Sequence, residues 1–197
     1  MRRNENHAVE AKTTNAENDV FANLQQERIL FLTSEINADS ANTLCAQMVM
    51  LDIQDSSKDI ILFINSDGGN VTDTLAIYDV MQATWSDIVT ICIGEAASGA
   101  AIILSGGAKG KRFALPNARV MLHQPQGGVE GSSRDVEIEA KELLRLRELL
   151  SDILQKNTGQ TFERLHQVLD RDSYMSAEMV KEFGLIDEVV SKIPVYS

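Results

Sequence analysis

One hydroxyl stands in a run of small side chains at Gly94-Glu-Ala-Ala-Ser98-Gly-Ala-Ala101. An apolar, β-branched run, Ile88–Ile93, precedes it and reads as a buried strand. Ala100–Ser105 follows, too apolar and Ala-rich for a loop, and reads as the first turns of a buried helix. A serine at such a turn lies near free N–H groups and the positive end of a helix dipole, both of which stabilise negative charge on its oxygen. That is the setting of an activated nucleophile. It is equally the setting of a serine that merely caps a core helix. A nucleophilic serine needs a base, and the base needs an orienting group. Of the three histidines, His7 lies in a polar tail and His166 in a short helical pattern, while His123 ends a strand beside a Gly/Pro loop. Spacing alone leaves Asp170, Asp172 and Asp187 open as the orienting carboxylate. Gly68-Gly69, at the end of another apolar strand, could aim backbone donors into the same space or simply turn the chain into a helix.

The elements that must position these groups alternate strand and helix. Strands are expected at Ile29–Leu32, Ile60–Ile64, Ile88–Ile93, Arg112–Leu115, Arg119–Leu122 and Ile186–Val190. Helices are expected after an N-cap at Asp39, with Leu44, Cys45, Met48, Val49 and Leu51 at helical spacing, and after Gly69, with Val71, Leu75, Tyr78 and Met81 on one face. Ser132 and Asp135 form a capping-box pattern opening the longest helix, Arg134 to Lys156, which Gly159 stops. Phe162–Leu169 and a short segment after Ser176 complete the helices. This alternation predicts an α/β domain with a largely parallel sheet, whose sites gather at the carboxyl ends of strands. Asn65–Gly69, Ser98 and His123 all fall there.

Composition narrows the function. A chain of 197 residues that is 44% apolar supports one domain with a real core. The expected layout is a flexible tail over 1–18 and a single domain over 19–197. A net charge of -11 argues against a nucleic-acid surface. No run is apolar and long enough to span a membrane, and the N-terminus has no apolar stretch after its arginines, so a cytoplasmic protein is expected. Cys45 and Cys92 sit in apolar patterns with no neighbouring histidine, which predicts buried reduced thiols and no metal site.

Several blocks occur together in one register from about Ile29 to Val190: Ile64-Asn-Ser-x-Gly-Gly69, Gly94-x-Ala-Ala-Ser98, Lys109-Gly-Lys-Arg-Phe-Ala-Leu-Pro116, His123-Gln-Pro-x-Gly-Gly128, Thr158-Gly-Gln160, Asp170-Arg-Asp172 and Phe183-Gly-Leu-Ile-Asp187. In this order they resemble the Clp protease proteolytic subunit. The resemblance implies a crotonase-like fold of repeated β-β-α units with a handle helix and strand, at about 124–156. It implies a serine endopeptidase in which Ser98 is the nucleophile, His123 the general base and Asp172 the orienting carboxylate. Gly69 and Gly99 would be the oxyanion donors. Gly127 and Gly128 would bind substrate as an added strand. Asp170 and Arg171 would join two stacked seven-membered rings, and Phe63 would meet a partner ATPase. Unfolded chains would be fed in by that ring-shaped AAA+ ATPase, which uses the ATP, so this chain would need no cofactor.

The chain also departs from the pattern. Asp67 stands where the family usually has Pro, placing a carboxylate near the oxyanion. Gly99 stands where it usually has Met. The tail lacks the family's apolar, Pro-containing start. These differences suggest a weakly active or non-catalytic second paralogue working in a mixed ring as the alternative. An acyl-CoA enzyme of the same fold would need no Ser/His/Asp set, and a serine–lysine peptidase would need a lysine base such as Lys109.

Overall fold

The computed structural model describes residues 20–126, 128 and 131–194. The expected tail over 1–18 and Gly127 lie outside the described residues. Residues 20–26 form a helix, α1, that periodicity did not reveal. Then follow β1 (Ile29–Leu32), α2 (Ala38–Gln54), β2 (Ile60–Ser66), α3 (Val71–Ala83), β3 (Ile88–Ala97), α4 (Gly99–Ser105), β4 (Arg112–Ala114), β5 (Arg119–Leu122), α5 (Ser133–Thr158), α6 (Phe162–Leu169), β6 (Ser173–Ser176), α7 (Ala177–Phe183) and β7 (Glu188–Val189). Strands and helices alternate as expected of this α/β fold.

The main path of the sheet runs β1-β2-β3-β4-β7, all parallel. A branch at the far end of β3 adds β5 in parallel and then β6 antiparallel. β3 can serve both because it is ten residues long, where the apolar run predicted only Ile88–Ile93. Gly94–Ala97 stay in the strand because β5 and Ser66 offer them hydrogen-bonded neighbours. β2 and β3 read as near-continuous Val/Ile/Leu because helices cover one face and a second apolar cluster the other.

Other differences are local. α2 is capped by Asn37, whose side chain accepts from the N–H groups of Asp39 and Ser40, so Asp39 falls in the first turn. Asn37 can cap because its own backbone is extended (φ -137°). In α2 Val49 faces solvent and Ala41 fills the core instead. In α3 the buried positions are Thr74, Ile77, Tyr78 and Met81, in place of Val71 and Leu75. The Ser132/Asp135 capping box and the left-handed Gly159 stop are as expected, with α5 one residue longer at its start and two at its end. Only the C-terminal half of α5 packs: Ser151 and Leu154 are buried, while Val136, Ile138 and Leu144 remain exposed. Residues 123–126 form no strand, although the Gln124 N–H donates to the Leu169 carbonyl at 2.8 Å. Cys92 is buried, which pushes its thiol up to about 11, and Cys45 is half-buried.

Arg112 anchors β4 to the C-terminal segment. Arg112 is 5% exposed, and its guanidinium donates to both oxygens of Asp187, at 2.6 and 2.9 Å, and to the carbonyl of Asn157 at 2.9 Å. Burial pushes the Asp187 carboxyl up. The hydrogen bonds and charge of Arg112, with the Gly110 N–H, outweigh that and hold it below its ordinary value. A lowered folded pKa contributes stability that is present above the unfolded value near pH ~4 and lost as pH falls through the folded one. Arg112→Met should destabilise the fold by on the order of 3 kcal/mol, because Asp187 loses its counter-charge. Asp187→Asn should flatten the loss of stability below pH ~4. Urea midpoints of both variants at neutral and acid pH check this, and an unchanged acid slope in Asp187→Asn would contradict it.

Candidate active site

The register of β3 with β5 builds the site. Ala97 lies beside Met121, and the Ser98 N–H donates to the Met121 carbonyl at 2.9 Å. Ser98 therefore sits next to the end of β5, where His123 begins the following loop. The Ser98 backbone adopts φ 53°, ψ -120°, a conformation a side chain rarely takes. That sharp turn swings Oγ out of the strand. The side chain does not cap α4; instead Oγ lies 2.8 Å from His123 Nε2. The capping role open to Ser98 in the sequence is thus not the one it plays.

β6 supplies the third group. Its antiparallel register pairs Leu122 with Ser173, so the preceding residue, Asp172, falls opposite His123. Asp172 Oδ1 lies 3.3 Å from His123 Nδ1. The other candidate carboxylates are placed elsewhere: Asp187 is held by Arg112, and Asp170 is exposed beside Arg171 at 3.8 Å. His166 lies on α6 near Phe162 and Arg147, away from Ser98. Lys109 is exposed and lines a different cleft, with Asp87 and Arg112.

Two backbone donors face the same cleft. Ile36 bridges to Gly69 through the Gly68 carbonyl (2.7 Å) and the Asn70 N–H (2.8 Å). In a parallel bridge the residue between those two groups turns its own N–H to the opposite side. The Gly69 N–H accordingly points away from Ile36. The Gly99 N–H is the first of α4 and lacks an intrahelical acceptor. Both glycines line the cleft with Ser98 and His123. The loop is tight: a Cβ on Gly68, where φ is +88°, would lie 2.5 Å from the Ala97 carbonyl oxygen and 2.8 Å from the Gly99 nitrogen. Ser66 fixes it from below, donating to the Ser34 carbonyl and accepting from the Gly68 N–H.

The departures at 67 and 99 have structural settings. Asp67 is exposed. Arg119 is held by Glu95 through Nε and Nη2, which chiefly raises its pKa, and Asp67 adds a smaller contribution. At Gly99 the neighbouring space is filled by Thr74: a Cβ there would meet its hydroxyl at 2.3 Å. The rest of the cleft is mostly apolar, formed by Val71, Ile102, Leu122, Leu150 and Leu154, with Arg147 also lining it. Neither Thr74 nor the α5 residues carried any sequence signal for the site, since helical spacing marks them only as core.

Of the remaining expected residues, Gly128 is exposed with open space around it. Phe63 is 7% exposed, stacked at 5.1 Å on Phe31 and packed with Val89, Ile91 and Phe113. No group of His, Cys, Asp or Glu among the described residues could hold a metal ion, and no helix among them is long and apolar enough to cross a membrane.

A hydroxyl against an imidazole, a carboxylate on the imidazole's other nitrogen and two free N–H groups can together perform acyl transfer. The family model described as Clp protease matches residues 12–193 of this chain.

Proposed function

This chain belongs to the Clp protease family of serine peptidases, and from that premise we propose that it is a serine endopeptidase acting through Ser98, His123 and Asp172. The observation that carries the proposal is the 2.8 Å contact between Ser98 Oγ and His123 Nε2 at a strained strand-to-helix turn. His123 takes the Ser98 proton as Oγ attacks the scissile carbonyl. The Gly69 and Gly99 N–H groups receive the developing oxyanion. His123 then protonates the leaving amine, and a water activated by the same ring releases the acyl group. The apolar cleft beside Ser98 suits an apolar side chain at the bond cleaved. No cofactor is needed for these steps.

Members of the family are generally oligomeric and work with Clp ATPases. For this chain we propose two stacked seven-membered rings fed with unfolded protein by an AAA+ ATPase in the cytoplasm. The exposed apolar residues on the free half of α5 support an oligomer, because a lone surface helix rarely presents Val136, Ile138 and Leu144 to water. Asp170, Arg171 and the handle around Gly127 and Gly128 would make the ring-to-ring contact, and the aromatic layer over Phe63 would meet the ATPase.

A second reading is a weakly active paralogue of a mixed ring. The 3.3 Å separation of His123 and Asp172 favours it, being longer than a well-formed charged hydrogen bond. Native mass measurement with fluorophosphonate labelling decides between them. A double-ring particle labelled to completion, with no labelling in Ser98→Ala, is the expected result. Absence of labelling in an assembled particle would overturn self-sufficient catalysis. Labelling of Ser98 that appears only on adding a sister subunit would establish the mixed ring.

A further inference from the structure

We propose that Gln126 is a positioning residue that competes with Asp172 for Nδ1 of His123, and so sets how much of the site rests in a tautomer unable to take the proton of Ser98. This rests on the reading of Ser98, His123 and Asp172 as a catalytic set. His123 Nδ1 faces Asp172 Oδ1 at 3.3 Å and Gln126 Nε2 also at 3.3 Å. A ring nitrogen has one in-plane position, which holds either a proton or a lone pair. The carboxylate can only accept and the amide nitrogen can only donate, so the two contacts exclude one another.

The consequence falls on the other ring nitrogen. When Nδ1–H donates to Asp172, Nε2 turns a lone pair toward Ser98 Oγ and can act as the base. When Gln126 donates to Nδ1, the proton of the neutral ring sits on Nε2. Nε2–H then donates to Ser98 Oγ across the same 2.8 Å, and the serine keeps its proton. Chemistry cannot begin from that arrangement.

The surroundings leave the competition open. The Asp172 side chain is 55% exposed, so water weakens its hold on the ring. Asp170, Arg171 and Leu143 border the same outer cleft as His123, Gln126 and Asp172, while Arg147 of α5 lines the inner one. Anything that draws the Gln126 loop away, such as a substrate strand laid beside it, frees Nδ1 for Asp172.

The test reads the ring directly. With only three histidines, the ¹⁵N-imidazole spectrum of the full chain labelled at histidine is simple, and a His123→Asn sample identifies the signals of the site. The expected result is an Nε2–H population of His123 at neutral pH that shifts toward Nδ1–H in Gln126→Leu. The same variant should react with fluorophosphonate about 2- to 10-fold faster, by release of the idle fraction. Gln126→Glu places a carboxylate at the same position. In an Asp172→Ala background it should restore labelling at least about 10-fold and move the acid limb of the pH–rate profile upward. Wild-type His123 held wholly as Nδ1–H, or a Gln126→Glu/Asp172→Ala protein no faster than Asp172→Ala, would overturn the proposal. A tautomer ratio that responds to Gln126 in a protein unreactive toward fluorophosphonate would instead uphold the contact and sink the peptidase reading.

Discussion

His123→Ala should lower the turnover of a peptide ester by about 10⁴- to 10⁶-fold, the largest loss expected of any change that leaves Ser98 in place. Among the described residues Ser98 Oγ has one partner, His123 Nε2 at 2.8 Å, and without it the hydroxyl has no such group to receive its proton. The loss should not add to that of Ser98→Ala, because the two act as one unit: the double variant should be no slower than either single. Asp172→Asn should cost less, about 10²- to 10⁴-fold, since Asp172 is half exposed and its contact is 3.3 Å. Single-turnover hydrolysis separates these from effects on binding. Activity of His123→Ala within about tenfold of wild type would remove His123 from the chemistry.

Gly69→Ala should reduce kcat by about 10²- to 10³-fold, with a smaller change in KM. The reason is geometric. Gly69 has φ +155°, and a Cβ there would lie 2.1 Å from the Ile36 carbonyl oxygen and 2.8 Å from its carbon and nitrogen. Those are backbone atoms of a bridged segment and cannot rotate away. The loop itself must move, and it carries one of the two N–H groups proposed to receive the oxyanion. Gly99→Ala should be milder, because the obstacle is the Thr74 hydroxyl, which can turn at the expense of its 2.8 Å hydrogen bond to the Asn70 carbonyl. Steady-state kinetics on the two variants give the ranking, and a Gly99→Ala defect exceeding that of Gly69→Ala would reverse the assignment of the more constrained donor.

Local physics made much of the chain legible from its residues. A short-range pattern suffices wherever a structure is closed by its own neighbours in sequence. Ser132 with Asp135, the left-handed Gly159 and the Ser176 cap are of this kind, and so is the small-residue turn around Ser98. Local pattern does not decide where two local solutions are equally good. Asn37 and Asp39 are both competent caps, and the choice fell to Asn37, whose side chain and that of Ser40 close a reciprocal box. β6 carries no such local signal, since Ser-Tyr-Met-Ser has no alternation strong enough to declare a strand.

By itself, then, the sequence determined the α/β class, the identity of one serine and one histidine at strand ends, and, through ordered motif blocks, the family. Those depend on residue type and on spacing within a few turns of chain. Residue spacing left the carboxylate partner of His123 open; the family blocks implied Asp172, and the physical reason it reaches the ring lies in three dimensions. Asp172 is 49 residues away along the chain and arrives through the pairing of β5 with β6, which no local propensity encodes. The same holds for the Gly69 N–H, turned into the cleft by a bridge to Ile36, and for Gln126 beside Nδ1. Contacts of this range are set by strand register and close packing, and both are properties of the assembled sheet.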